Sequence, residues 1–133
     1  MAVYNYNCIE KLCRHLRCSR YELELELLNP ESRRKAYKFL ERYDLFFGPT
    51  REQIFVTYFS NDAASQTMTF RGGYKNVNMD QFMLIRYHVD LKYPDLPCVV
   101  EERGRKPYYY PLETIALRPR QNENNNLHSF SVS

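Results

Sequence analysis

Apolar residues recur along the first forty positions with helical spacing, broken once. Ile9, Leu12, Cys13 and Leu16 fall at i, i+3, i+4 and i+7 within Tyr6 to Leu16. That spacing predicts an amphipathic helix over about residues 6–17, with Lys11, Arg14 and Arg17 on its wet side. Tyr21 to Leu28 instead alternates Glu and Leu, a period of two that predicts a half-buried strand despite the good helix propensity of both residues. Asn29-Pro30-Glu31 then reads as a helix start: an N-cap, a proline at the first helical position and an acid near the positive end of the dipole. This second helix should run to about Arg42.

From there the pattern is β-rich. Asp44 to Phe47 and Gln53 to Phe59 flank the turn Gly48-Pro49-Thr50-Arg51, which predicts a hairpin or neighbouring strands, and Asn61-Asp62 ends the second. Thr67 to Phe70 is a short strand stopped by Arg71-Gly72-Gly73, after which Asn78 caps a helix with apolar positions Met79, Phe82, Met83 and Leu84. Pro94 and Pro97 exclude Tyr93 and Leu96 from the α region, so LKYPDLPCVV is a bent, extended segment. Cys98 to Glu101 and Tyr108 to Leu112 are strands on either side of the turn Arg103-Gly104-Arg105. Beyond Leu117 the chain is polar, and residues 118–133 read as a disordered tail or linker. The fold class is α+β, mainly β: a small OB-like barrel with N-terminal helices and an inserted hairpin and helix.

Composition changes this picture only in places. A chain of 133 residues is one domain, here residues 1–117. The net charge of +3 permits nucleic-acid binding without pointing to it. Twelve Tyr and eight Phe are the better hint, because platforms for unpaired bases need flat rings and hydroxyl donors, although tyrosine serves equally in a β core. Cys8, Cys13, Cys18 and Cys98 form no C-x-x-C pair and have no histidine at ligand spacing. Buried free thiols, no metal and no disulfide framework are therefore expected. No signal-peptide core or membrane-length apolar run occurs, so a soluble cytosolic or nuclear protein is expected.

Catalytic chemistry is not signalled. His15, His88 and His128 are scattered, Ser65 sits in no nucleophile elbow, Glu101-Glu102 lies beside basic residues, and Gly72-Gly73 lacks the G-K-[ST] of a phosphate loop. An enzyme is not expected, and no cofactor is implied.

The run from Arg86 to Glu113, RYHVDLKYPDLPCVVEERGRKPYYYPLE, carries a resemblance. YPDLPCV followed by YYPLE resembles the PAZ domain of Argonaute proteins, and so do Asp80 to Tyr87 and Ala64 to Phe70. The order of elements fits from about Arg33 to Glu113. The resemblance implies an RNA-binding module that anchors the 3′ end of a small guide RNA in gene silencing. Its partners would be single-stranded RNA or the two-nucleotide 3′ overhang of a small RNA duplex, and other domains of an Argonaute-like chain, with no membrane. By resemblance, Phe70 matches the ring that stacks on the terminal nucleotide, Tyr87 a phosphate-binding hydroxyl, and Arg86 a neighbouring cation. Lys106 matches a basic residue near the terminal dinucleotide. Tyr109 and Tyr110 lie on the strand whose backbone approaches the terminal sugar, and Tyr108 is beside them.

The sequence departs from the family at three places: Phe82-Met83 replaces a Tyr-Phe pair, Phe55 replaces a pocket tyrosine, and the Gly48-Pro49 turn lacks a histidine. Each phosphate hydrogen bond is worth about 1.5–3 kcal/mol, so weaker, more salt-dependent and less end-specific binding is expected unless Arg86, Arg51 or Tyr108 substitutes. Two alternatives stay open: a PAZ fold whose pocket serves protein interaction or architecture, and a generic OB-like single-strand binder.

Overall fold

The computed structural model describes residues 6–69 and 77–120. Helix α1 (Cys8–Leu16) follows the predicted stripe: Ile9, Leu12 and Cys13 are buried, joined by Cys8. Helix α3 (Pro30–Leu40) starts where Asn29, Pro30 and Glu31 predict, the Asn29 side chain accepting from the Glu31 amide at 2.8 Å. Between them, the alternating Glu-Leu segment is not a strand. It forms helix α2 (Arg20–Glu26).

The physical reason lies two residues upstream of the alternation. Ser19 accepts from the Glu22 amide at 3.2 Å and donates its own amide to the Glu22 carboxylate at 2.7 Å. This capping box satisfies two orphan donors and starts the helix. Leu23 and Leu27 then share the buried face at i, i+4, while Tyr21, Leu25 and Leu28 face outward. Period-two hydrophobicity cannot reveal a helix that exposes half of its leucines.

Strands β1 (Tyr43–Phe47) and β2 (Glu52–Ile54) form the predicted hairpin, and β8 (Ile115–Pro119) pairs with the other side of β1. The Gly48 amide reaches Thr114 O at 2.8 Å, tying the turn to the chain that enters β8. The run Gln53 to Phe59 divides at Phe55 to Thr57. There the Thr57 amide donates to Val100 O at 2.7 Å and the chain passes from one sheet to the next. The second sheet has the order β3 (Tyr58–Ala63), β6 (Pro97–Arg103), β7 (Lys106–Pro111). Asn61-Asp62 does not end β3, which continues to Ala63 through an irregularity where Ser60 accepts from the Cys98 amide and donates to Asp62 O.

Strands β4 (Met68–Thr69) and β5 (Val77–Asn78) make a short ribbon leading into helix α4 (Met79–Tyr87). Gln81 accepts from the Asn78 amide at 3.2 Å at the helix start, and His88 closes its end in the left-handed region with φ +60°. The fold is the expected mixture of helices and antiparallel strands. Among the described residues, however, the strands make two three-stranded sheets and a ribbon rather than one closed barrel. β8 carries the ordered chain to Pro119, and the rest of the expected tail, from residue 121, lies outside the described residues.

Two polar clamps hold these pieces. The Arg33 guanidinium donates to Leu27 O, Phe59 O and Ser60 O at 2.9, 2.6 and 2.9 Å, joining α2, α3 and β3. The Asn7 amide exchanges both of its hydrogen bonds with the backbone of Leu117, at 3.3 and 2.8 Å, and so occupies the outer edge of β8. No described helix is long and apolar enough to cross a membrane.

Candidate nucleic-acid interface

The bend before β6 sets the position of the candidate site. Pro94 and Pro97 make it rigid, and the Glu113 carboxylate accepts from the amides of Lys92 and Tyr93 at 2.9 and 2.6 Å. Leu96 O and Pro94 O in turn accept from the amides of Ala64 and Ser65. The segment that follows the helix ending at Tyr87 is thereby tied both to the chain after β7 and to the chain after β3.

Tyr87 is half-buried. Its ring meets Phe47 of β1 edge-on at 5.3 Å and Phe82 at 5.8 Å. Phe47 also packs on Tyr110 of β7 at 5.0 Å, so one buried phenylalanine carries a tyrosine from the helix and a tyrosine from the second sheet. The Arg86 guanidinium lies over the Tyr87 ring at 5.2 Å. Such pairs hold a cation in place without neutralising it. Arg86 also offsets the negative end of the α4 dipole, which would otherwise repel a phosphate near Tyr87.

Alternation divides the tyrosine triplet. Tyr108 and Tyr110 share a face of the sheet with Arg103, which donates to the Tyr110 hydroxyl at 2.9 Å and lies over the Tyr108 ring at 4.4 Å. Tyr109 points to the opposite face beside Tyr58, Cys98, Asp62 and Glu102. Burial first, then Cys98, Asp62 and Glu102, push its hydroxyl pKa up. A phosphate on that face would meet carboxylates.

Arg103 was read from the sequence only as part of a turn, yet it organises this corner. Glu101 and Glu52 accept from it at 3.3 and 3.5 Å, and the Glu101 bond above all raises its pKa further. Its charge is spent on these acids. It is therefore a positioning group for Tyr108 and Tyr110. Its place two residues after Glu101 in a hairpin with Tyr108 and Tyr110 on the matching face was the signal available in the sequence.

The predicted residues thus separate. Tyr87, Arg86, Phe82, Tyr110 and Tyr108 come together through Phe47 and Arg103. Phe82 is only 3% exposed and Met83 is fully buried, so both support the site from beneath. Tyr110 is likewise enclosed, at 0%. Lys106 stands exposed at the hairpin tip beside Arg105, where Gly104 has φ +64°. Phe55, 60% exposed, lies elsewhere, in a shallow cleft with Tyr43, Asp44 and Arg120. Phe70 lies outside the described residues. No group of three metal-binding side chains occurs among the described residues.

No family model matches the sequence. Solved structures do. The chain superposes on a Drosophila Argonaute PAZ domain, determined in complex with 3′-end 2′-O-methylated RNA, with a TM-score of 0.65 and 22% identity, covering 85% of this chain and 97% of that one. Two structures of the Drosophila Argonaute 2 PAZ domain give TM-scores of 0.63 and 0.61 at 22% and 23% identity, covering 83% and 89% of this chain and 96% and 95% of theirs. One was described for its nucleic-acid binding and the other for 3′-end recognition of nucleic acids. At these TM-scores, over 83% to 89% of its length, the chain has the fold of the Argonaute PAZ domain.

Proposed function

We propose that this chain is an RNA-binding module that holds the 3′ end of a small guide RNA and performs no chemistry on it. The observation that carries the reading is the unbroken series Arg86, Tyr87, Phe47, Tyr110, Arg103, Tyr108, which links α4 to β7. It occurs in a domain whose fold is shared with one seen holding a 3′ RNA end. Arg86 supplies charge and Tyr87 a hydroxyl for the terminal phosphodiester. The Tyr108 ring and the hairpin cations Arg105 and Lys106 line the approach of the strand. Phe82 and Met83 contribute no hydroxyl, which supports weak, salt-dependent binding. The buried thiols Cys8 and Cys98 are free, which supports a reducing compartment such as the cytoplasm.

The test is a titration at low and moderate salt of a short RNA with a free 3′-hydroxyl, the same RNA 3′-phosphorylated, and its circular form. Preference for the free end is expected. Equal affinity for all three would overturn end recognition, and no binding of any would overturn the RNA reading itself.

A further inference from the structure

Between α1 and the end of α3 lies an open cleft of about 310 Å³, lined by Lys11, Arg14, His15, Phe39 and Tyr43 and by none of the residues assigned above. Its aromatic floor is a ladder of paired residues. Lys11 and His15 stand one turn apart on α1 and meet Tyr43 and Phe39. His15 stacks on Phe39 at 4.3 Å with the rings 19° apart, Phe39 tilts against Tyr43 at 5.1 Å, and Lys11 lies over Tyr43 at 5.8 Å. Arg42 reaches the Phe39 ring at 5.6 Å.

The charge of this cleft is out of proportion to the chain. Basic residues exceed acidic ones by only three overall. Yet no carboxylate among the described residues lines the cleft, and Lys35 of α3 and Arg42 just beyond its end also act on His15. Adjacent acids are engaged elsewhere: Glu41 accepts from Tyr37, and Asp44 pairs with Arg120 at 3.8 Å. Glu10 approaches Arg14 only at 3.9 Å, with both side chains largely exposed, a pair of little strength in water. Lys11 and Arg42 are thus held on ring faces and Arg14 has only this weak partner, so an anion entering the cleft is attracted by all three.

We propose that this cleft is a second RNA site, one that takes the phosphodiester backbone of a single strand independently of its 3′ end. Lys11, Arg14 and Arg42 contact phosphates, and the edge of Tyr43 offers a ring to a neighbouring base. Basic groups interleaved with aromatic rings suit single-stranded nucleic acid better than an acidic peptide, which would use the cations alone. Phosphates placed among Lys11, Arg14, Lys35 and Arg42 also favour the charged imidazolium of His15, so affinity rises as the pH falls through the ordinary histidine range.

The experiment compares circular RNA with a short linear RNA on the full chain and on Lys11→Glu/Arg42→Glu and Tyr87→Phe variants, with circular dichroism to establish folding. Circular RNA should lose about tenfold or more in affinity on the charge-reversed variant, with a shallower salt slope. It should be unaffected by Tyr87→Phe. Any preference for a free 3′ end should follow Tyr87 instead, so the two sites fail separately. The Lys11→Gln/Arg42→Gln variant repeats the test should charge reversal unfold the helices. Unchanged circular-RNA binding in the glutamine variant would overturn the proposal. So would a poly-glutamate peptide that binds the cleft while RNA does not.

Discussion

The carboxylate of Glu113 accepts a hydrogen bond of 2.6 Å from the backbone amide of Tyr93, and a second from Lys92. Twenty residues of sequence separate the two partners, yet together they define the bend on which α4 and β6 are hung. The bond explains why a proline-locked Tyr-Pro segment and a later Pro-Leu-Glu segment occur together. One supplies unpaired amides and the other the acceptor.

Replacing Glu113 with alanine should therefore leave two amides unanswered and cost about 2–3 kcal/mol, since charge-assisted bonds are the strong ones. Glu113→Gln, which keeps one good acceptor, should cost less. Urea denaturation of both variants measures the difference, and equal losses would contradict the clamp.

Arg33 should prove as important to stability as any apolar core residue. Its three carbonyl acceptors come from two segments, and burial lowers its pKa, so the charge is held chiefly by these hydrogen bonds, with the Phe59 ring beneath it at 5.7 Å. Arg33→Met is expected to lose about 2–4 kcal/mol. Arg33→Lys should lose nearly as much, because an ammonium cannot span the same fork of acceptors. A lysine variant with wild-type stability would show that charge, not geometry, matters there.

For Tyr87, the hydroxyl and the ring have separate duties. Tyr87→Phe keeps the edge contacts with Phe47 and Phe82 and should unfold within about 0.5–1 kcal/mol of the parent while its affinity for a 3′-hydroxyl RNA drops about tenfold. Tyr87→Ala should damage both. Thermal melts alongside RNA titrations separate the two effects.

His15 sets a pH dependence of stability. Burial against Phe39, then Arg42 and Lys35, lower its pKa below 6.5. The unfolded chain therefore binds the proton more readily than the folded one. His15's contribution is complete above the unfolded value of 6.5 and is lost as the pH falls through the lowered folded value. Unfolding midpoints measured from about pH 8 to about pH 5 should fall more steeply for the parent than for His15→Gln.

The thiols should be unreactive in the folded state. Burial, with Cys13 nearby, pushes the pKa of Cys8 far up, burial alone does so for Cys98, and Cys18 is raised to about 11 by burial and then by Cys13. A thiol reagent at about pH 8 should label the native protein slowly and all four cysteines at once after denaturation.

Much of this architecture was legible in the sequence because it rests on local chemistry. Asn29-Pro30-Glu31 starts a helix, Gly104 allows a tight hairpin, and two prolines forbid helix before β6. What misled was period alone: the Glu-Leu repeat looked like a strand, and Ser19 with Glu22, three residues on at the third helical position, decided otherwise. β8 was missed because Ile115 to Leu117 is too short to signal a strand, and only pairing with β1 makes it one. At the site, Arg86 and Tyr87 were readable from the motif they end. The roles of Phe47 and Arg103 were not, because both depend on contacts between sheets that no stretch of sequence contains. The faces of Tyr108, Tyr109 and Tyr110 followed from alternation once the strand was known.

The exchange between Asn7 and Leu117 joins positions 110 apart in the chain. β8, which this amide covers, must in turn find β1 more than seventy residues behind it, as the pairing of Leu45 with Leu117 requires. Contacts of such range are slow to form, because the loop they close must be ordered before any of its energy is returned. During synthesis the first sheet therefore stays incomplete, with one side of β1 unpaired, until almost the whole domain has left the ribosome. Its folding is set by the arrival of its last strand.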